Sequence, residues 1–99
     1  MRAVLHGDVV ALARVLLGVE KARRLRVCIQ IFDRAHAADK YRKRFGRYHK
    51  CLGAGSLASA CWGMAKVPEP FLSDKDYAHC LRVIYDQVLE GRGPNRVRR

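Results

Sequence analysis

One stretch, Glu20 to Lys50, constrains this chain more than any other. It begins with apolar residues at helical spacing and ends as a run of cations and aromatic rings. Leu25, Cys28, Ile29 and Phe32 form one stripe, and Val27 and Ile31 a neighbouring strip. At about 100° per residue, the first half is apolar over half its circumference, which suits a helix flanked by two partners. Past Ala37 the pattern turns. Asp39 and Lys43 take the direction that Phe32 faced, and Tyr41, Phe45 and Tyr48 form a new stripe opposite it. The spacing predicts a helix that either bends near Ala37–Asp39 or packs its far end on a different element, and that ends at Gly46.

The flanking segments read as shorter helices. Asp8 is expected to cap a first helix over 9–17, with Val9, Leu12, Ala13, Leu16 and Leu17 on its apolar side. Gly18 is expected to close it in the left-handed conformation. Glu20 suits the positive end of the second helix. Gly53 and Gly55 mark a loop, and Ser56 caps a short third helix, Leu57 to Met64. Pro68 and Pro70 exclude helix around Glu69. Ser73 is expected to cap a fourth helix, with Asp76 three residues on, whose stripe is Tyr77, Cys80, Leu81, Ile84 and Val88. Gly91 ends it and Gly93-Pro94 cannot continue it. No segment alternates like a strand. The expected fold is all-α: one domain over 1–91, a small bundle of about four helices with a long central second helix, then a disordered basic tail over 92–99.

Charge narrows the partners. The net charge is +11, from 20 Lys and Arg against 9 Asp and Glu. Residues 1–50 hold 13 cations and 4 carboxylates, residues 51–91 hold 3 and 5, and the last eight hold four arginines and no acid. So uneven an excess repels itself unless an anion meets it. Nucleic acid, an acidic protein surface or an anionic membrane would serve. The run Val9 to Val19 is interrupted by Arg14 and too short to span a bilayer. Met1 to Asp8 lacks an apolar leader, so a cytoplasmic, reduced protein is expected. Cys28, Cys51, Cys61 and Cys80 then read as small buried hydrophobes. No pair has Cys-x-x-Cys spacing, and His49-Lys-Cys51 and His79-Cys80 chelate poorly, so no metal or cofactor is expected. His36 lies three residues from both Asp33 and Asp39, but no nucleophile can be set beside it and no enzyme is expected.

The cationic run is the leading functional signal. Lys40, Arg42, Lys43, Arg44, Arg47 and Lys50 stand in eleven residues without a carboxylate. Such cations neutralise phosphates, and Tyr41 or Tyr48 beside them can stack on bases. The rings are expected to pack on the third and fourth helices, leaving the cations free. Lys21, Arg23, Arg24 and Arg26 form a second cluster, up to about 30 Å from Arg44 along a continuous helix. A duplex could meet both clusters; a small ligand could not. A helix-turn-helix reading fails on chemistry, because Leu57 to Met64 has no Arg, Asn or Gln to read base edges. Gly53-Ala-Gly55-Ser56 reads as a turn with a serine cap, since the lysine of a phosphate loop is missing. The expected function is non-enzymatic nucleic-acid binding, duplex DNA ahead of RNA, through phosphate contacts from the 40–50 patch, with Arg23, Arg24 and the tail arginines assisting. The alternative is an adaptor docking on an acidic protein, in which the face of the fourth helix carrying Asp74, Asp76, Tyr77 and Asp86 takes part.

Four blocks also carry a resemblance. Val4-Leu-His-Gly-Asp-Val-Val-Ala-Leu-Ala-Arg14, Ala38-Asp-Lys-Tyr-Arg-Lys-Arg-Phe-Gly-Arg47, Gly55-Ser-Leu57, and Pro68-Glu-Pro70 with Asp76-Tyr77 are similar to a group of small uncharacterised alphaproteobacterial proteins. The resemblance implies a bacterial one-domain protein and no particular activity.

Overall fold

The first helix starts before its apolar stripe does. In a computed structural model of the chain, described over residues 1–47 and 53–92, α1 spans His6–Leu17. Asp8 is its third residue rather than its cap. Asp8 Oδ2 accepts the backbone N–H of Leu5 at 2.8 Å, and Oδ1 accepts that of Ala58 at 3.1 Å. One carboxylate thus satisfies an orphan amide at the start of α1 and another in the first turn of α3 (Leu57–Ala60). Gly18 ends α1, but at φ −84°, within the right-handed region, so its left-handed freedom is not used.

A single 3-10 turn, Lys21–Arg23, leads into α2, which runs without interruption over Arg24–Phe45. Its buried residues are Arg24, Cys28, Ile31, Phe32, Ala35, Ala38 and Asp39. The face is rotated from the expected stripe, for Leu25 is exposed and Ile29 only partly buried. The reason is continuity. The side through Cys28, Ile31, Ala35 and Ala38 stays apolar for three turns, whereas the Leu25–Ile29 side soon meets Asp33 and Lys40. Gly46, at φ 71°, closes α2 with its N–H on the Arg42 carbonyl at 2.8 Å.

The far end of α2 does pack on a different element, the turn before α3. Gly55 lies so close to it that a Cβ there would sit 3.1 Å from Asp39 Cα. Gly53 has φ 94°, and its Cβ would stand 2.8 Å from the Ser59 carbonyl oxygen. No side chain fits there. Ser56 caps α3 as expected, accepting the Ser59 N–H at 3.1 Å. Ser59 Oγ in turn accepts from Ala54 N–H at 2.9 Å and donates to the Ser56 carbonyl at 2.9 Å. The helix is one turn long rather than reaching Met64. Beyond it the chain turns so that an extended segment can lie on α1, where Val67 N–H donates to the Arg14 carbonyl at 3.1 Å and Arg14 Nε to the Val67 carbonyl at 2.8 Å.

The last long helix, α4, spans Lys75–Gln87, and a π turn over Val88–Arg92 follows. Asp74 caps it in place of Ser73, accepting the Tyr77 N–H at 2.9 Å. Tyr77, Cys80 and Ile84 of the expected stripe are buried, with Gln87 beside them. The core forms where α1 packs on α4 and α3, and α2 lies across α3 and α4. Leu12, Leu16, Phe32, Leu57, Tyr77 and Ile84 fill it. Cys28, Cys61 and Cys80 are buried within it, while Cys51 lies outside the described residues. Burial pushes the Cys61 thiol up to about 11. No strand forms among the described residues, and no helix among them is long and apolar enough to cross a membrane. Beyond Arg92 the expected tail lies outside the described residues.

Tyr77 shows how the core closes on the loop before α4. Its hydroxyl donates to Glu69 Oε2 at 2.9 Å. Burial, and then that bond, push the phenol up to about 12. Tyr77→Phe is expected to lower stability by about 1 kcal/mol, read as a shift of the urea midpoint at unchanged slope.

Candidate functional site

At the far end of α2 a single inward carboxylate, Asp39, collects several cations. Asp39 Oδ2 lies 3.1 Å from the Met1 ammonium and 3.0 Å from Lys43 Nζ, and Oδ1 lies 3.6 Å from Arg42 Nη2. Burial on its own would raise the Asp39 carboxyl, but the bonds from Lys43 and the Met1 amino group outweigh it and hold the group below the usual carboxylate range. A folded-state value below the unfolded one means stability that is present above the unfolded value of about 3.9 and lost as pH falls through the folded value. The stability gap between the wild type and Asp39→Asn, measured by urea denaturation, is therefore expected to be constant near neutrality and to narrow below about pH 4.

The cations around this carboxylate are not equivalent. Lys43 keeps 71% of its side chain exposed while its ammonium pairs with Asp39. Arg42 lies on the same face as Arg24, about five turns further on. Its side chain is only 34% exposed and is turned towards Asp39, and its Nε is buried. Arg42 is thus partly a packing residue, a correction to its place among the freely presented cations. Lys40, Arg44 and Arg47 are exposed, and no carboxylate among the described residues pairs with them. Tyr48 and Lys50 lie outside the described residues.

Of the three rings, Phe45 does not pack as expected, and Tyr48 lies outside the described residues. Phe45 is 52% exposed and Tyr41 partly buried. Their ring centroids are 4.5 Å apart with planes at 42°, and the Arg44 guanidinium stands 5.5 Å from the Phe45 centroid. A one-turn α3 is too short to cover the end of α2.

Arg24 requires the largest correction. It is 3% exposed and wholly engaged. Its Nε donates to the carbonyls of Leu16 at 2.9 Å, which also accepts the Val19 N–H at 3.0 Å, and of Val19 at 3.1 Å, just past the end of α1. Nη1 and Nη2 hold Asp76 at 2.7 and 3.1 Å, and Nη1 donates to His79 Nδ1 at 3.2 Å. Since a guanidinium only donates, His79 Nδ1 is the acceptor. Burial, Lys21 and Arg24 hold the His79 imidazolium below its usual value. Arg24 therefore ties α1 to α4 and cannot meet a phosphate. Lys21, Arg23 and Arg26 remain exposed. Arg26 shares an exposed stripe with Asp33, Lys40 and Arg44, so a carboxylate lies between the two basic clusters, which are about 27 Å apart from Arg26 to Arg44.

Two other expectations change. On α4, Asp74 is a cap, Asp76 is held by Arg24 and Tyr77 is buried, leaving Asp86 alone of that acidic face free of such a role. The single turn of α3, with Leu57, Ser59 and Ala60 buried, cannot enter a groove of DNA. One signal pointed to the inward charges: Arg24 and Asp39 bracket the stripe of Cys28, Ile31, Phe32, Ala35 and Ala38 at spacings of three and four.

Residues 2–88 match the profile of a domain of unknown function, DUF7742. The chain belongs to the DUF7742 family. No curated protein and no solved structure matches it. The DUF7742 match spans α1 to α4 and carries no activity and no source, so chemistry has to be read from the residues themselves. Among the described residues of this DUF7742 domain, no three His, Cys, Asp or Glu side chains come together as metal ligands.

Proposed function

We propose that this chain is a non-enzymatic nucleic-acid-binding protein that holds phosphates with the end of α2. The supporting observation is that Lys40, Arg44 and Arg47 are exposed without carboxylate partners among the described residues, beside Lys43, which pairs with Asp39 but keeps 71% of its side chain exposed. The helix dipole favours cations in a last turn, but each such contact is worth about 0.3–1 kcal/mol and falls off within that turn. One or two cations would use that benefit. The cluster reaches from Lys40, in the turn before, to Arg47, past the helix end. Contacts of this kind release counterions, so affinity for a labelled oligonucleotide should fall steeply with salt, with a log–log slope of about −0.7 to −0.9 per phosphate neutralised. Fluorescence anisotropy across a salt series measures it, and a flat response removes the proposal.

A second reading, docking on an acidic protein, draws on Trp62, Phe71 and Leu72, which are 64%, 88% and 69% exposed. Affinity capture with and without nuclease separates the two. Partners lost on nuclease treatment support nucleic acid, and an acidic partner retained after it supports docking.

A further inference from the structure

The exposed ring at the end of α2 says which form of nucleic acid the patch suits. We infer that Phe45, with Tyr41 beside it and the Arg44 guanidinium over its ring, forms a stacking platform for an unpaired base, so that the partner is a single strand rather than a duplex. The inference rests on the nucleic-acid reading above and narrows it.

Among the described residues, Phe45 is not part of the core cluster. It is 52% exposed on the last turn of α2, immediately before the Gly46 closure. Water around so large an apolar face is unfavourable, and the chain keeps it beside a cluster of cations. Tyr41, one turn earlier, is partly buried, and its ring centroid lies 4.5 Å from that of Phe45 with the planes tilted by 42°. Arg44 lies 5.5 Å from the ring centroid, at a distance suited to a cation–π contact. An aromatic face with guanidinium and ammonium groups around it matches a strand whose bases are free to stack while its phosphates pair with cations. In a duplex both faces of each base are already occupied by neighbours, and Phe45 would contribute nothing.

The test uses the full chain and two fluorescein-labelled DNA probes of mixed sequence, one single-stranded and one duplex, each about 16 nucleotides long. Anisotropy titrations are run at several salt concentrations on wild type, Phe45→Ala and Phe45→Leu, with circular dichroism melts to show that each folds. The expected result is tighter binding of the single strand. Phe45→Ala and Phe45→Leu should both weaken it, by about tenfold, with an unchanged salt slope and little effect on the duplex. Leucine keeps apolar bulk without a π face, so equal loss in both variants identifies stacking. Duplex binding as tight as the single strand, or single-strand affinity indifferent to Phe45→Ala, overturns the platform and leaves phosphate binding standing. Binding of neither probe overturns the nucleic-acid reading and the platform with it.

Discussion

Alanine at Lys40, Arg44 and Arg47 together is expected to weaken nucleic-acid binding by about two to three powers of ten at ~0.05 M salt. Each phosphate contact adds about 0.7–0.9 to the log–log salt slope, so between ~1 M and ~0.05 M each is worth about tenfold. The three side chains are exposed and make no ion pair among the described residues, so the variant should fold. Its stability should move by only a few tenths of a kcal/mol, because relief of self-repulsion offsets lost dipole contacts. The variant should also show a shallower salt slope, reduced by about two to three. Arg42→Ala provides the contrast. Its side chain leans on Asp39, so that change should cost stability more than affinity. Anisotropy titrations with thermal melts on both proteins measure this, and a triple variant that binds as wild type does would show that the end of α2 is not the site.

Arg24→Ala is expected to cost about 3 kcal/mol of stability. The guanidinium meets two carbonyls at the end of α1, a carboxylate and an imidazole on α4. Without it the Leu16 and Val19 carbonyls lose that donor, and the stem of a 3%-exposed side chain leaves a void. Asp76 is half-exposed and returns to water, which keeps the cost at the lower end for a broken buried pair. Arg24→Lys should recover little, because one ammonium cannot reproduce a planar fork with partners on two sides. Urea denaturation gives the loss directly. Affinity of the folded fraction for nucleic acid should be unchanged, and a variant that keeps its stability but loses affinity would return Arg24 to the phosphate contacts.

The residues of α2 divide what was legible from what was not. Its existence, its length and its stop at Gly46 follow from spacing and from one glycine, because helix formation is decided by local backbone preference and a repeating apolar stripe. The same holds for the core positions of α1 and α4 and for the Ser56 cap. Which of two adjacent stripes turns inward was decided over three turns rather than one. Cys28 and Phe32 belong to both, and the choice fell to the side of Ile31, Ala35 and Ala38, which stays apolar along the length that packs on α3 and α4. Charge was legible as a total and as an uneven distribution. Its roles were not, because the sequence writes Arg24 and Arg23 alike while one closes the core and the other faces water. Asp8, Asp39 and Asp76 each find partners far along the chain, at Ala58, at Met1 and at Arg24. Local spacing therefore determined an all-α chain with a cationic end to its long helix. Only tertiary packing decided which cations are consumed inside the fold and left Phe45 uncovered, since burial and ion pairing depend on neighbours that are distant in sequence.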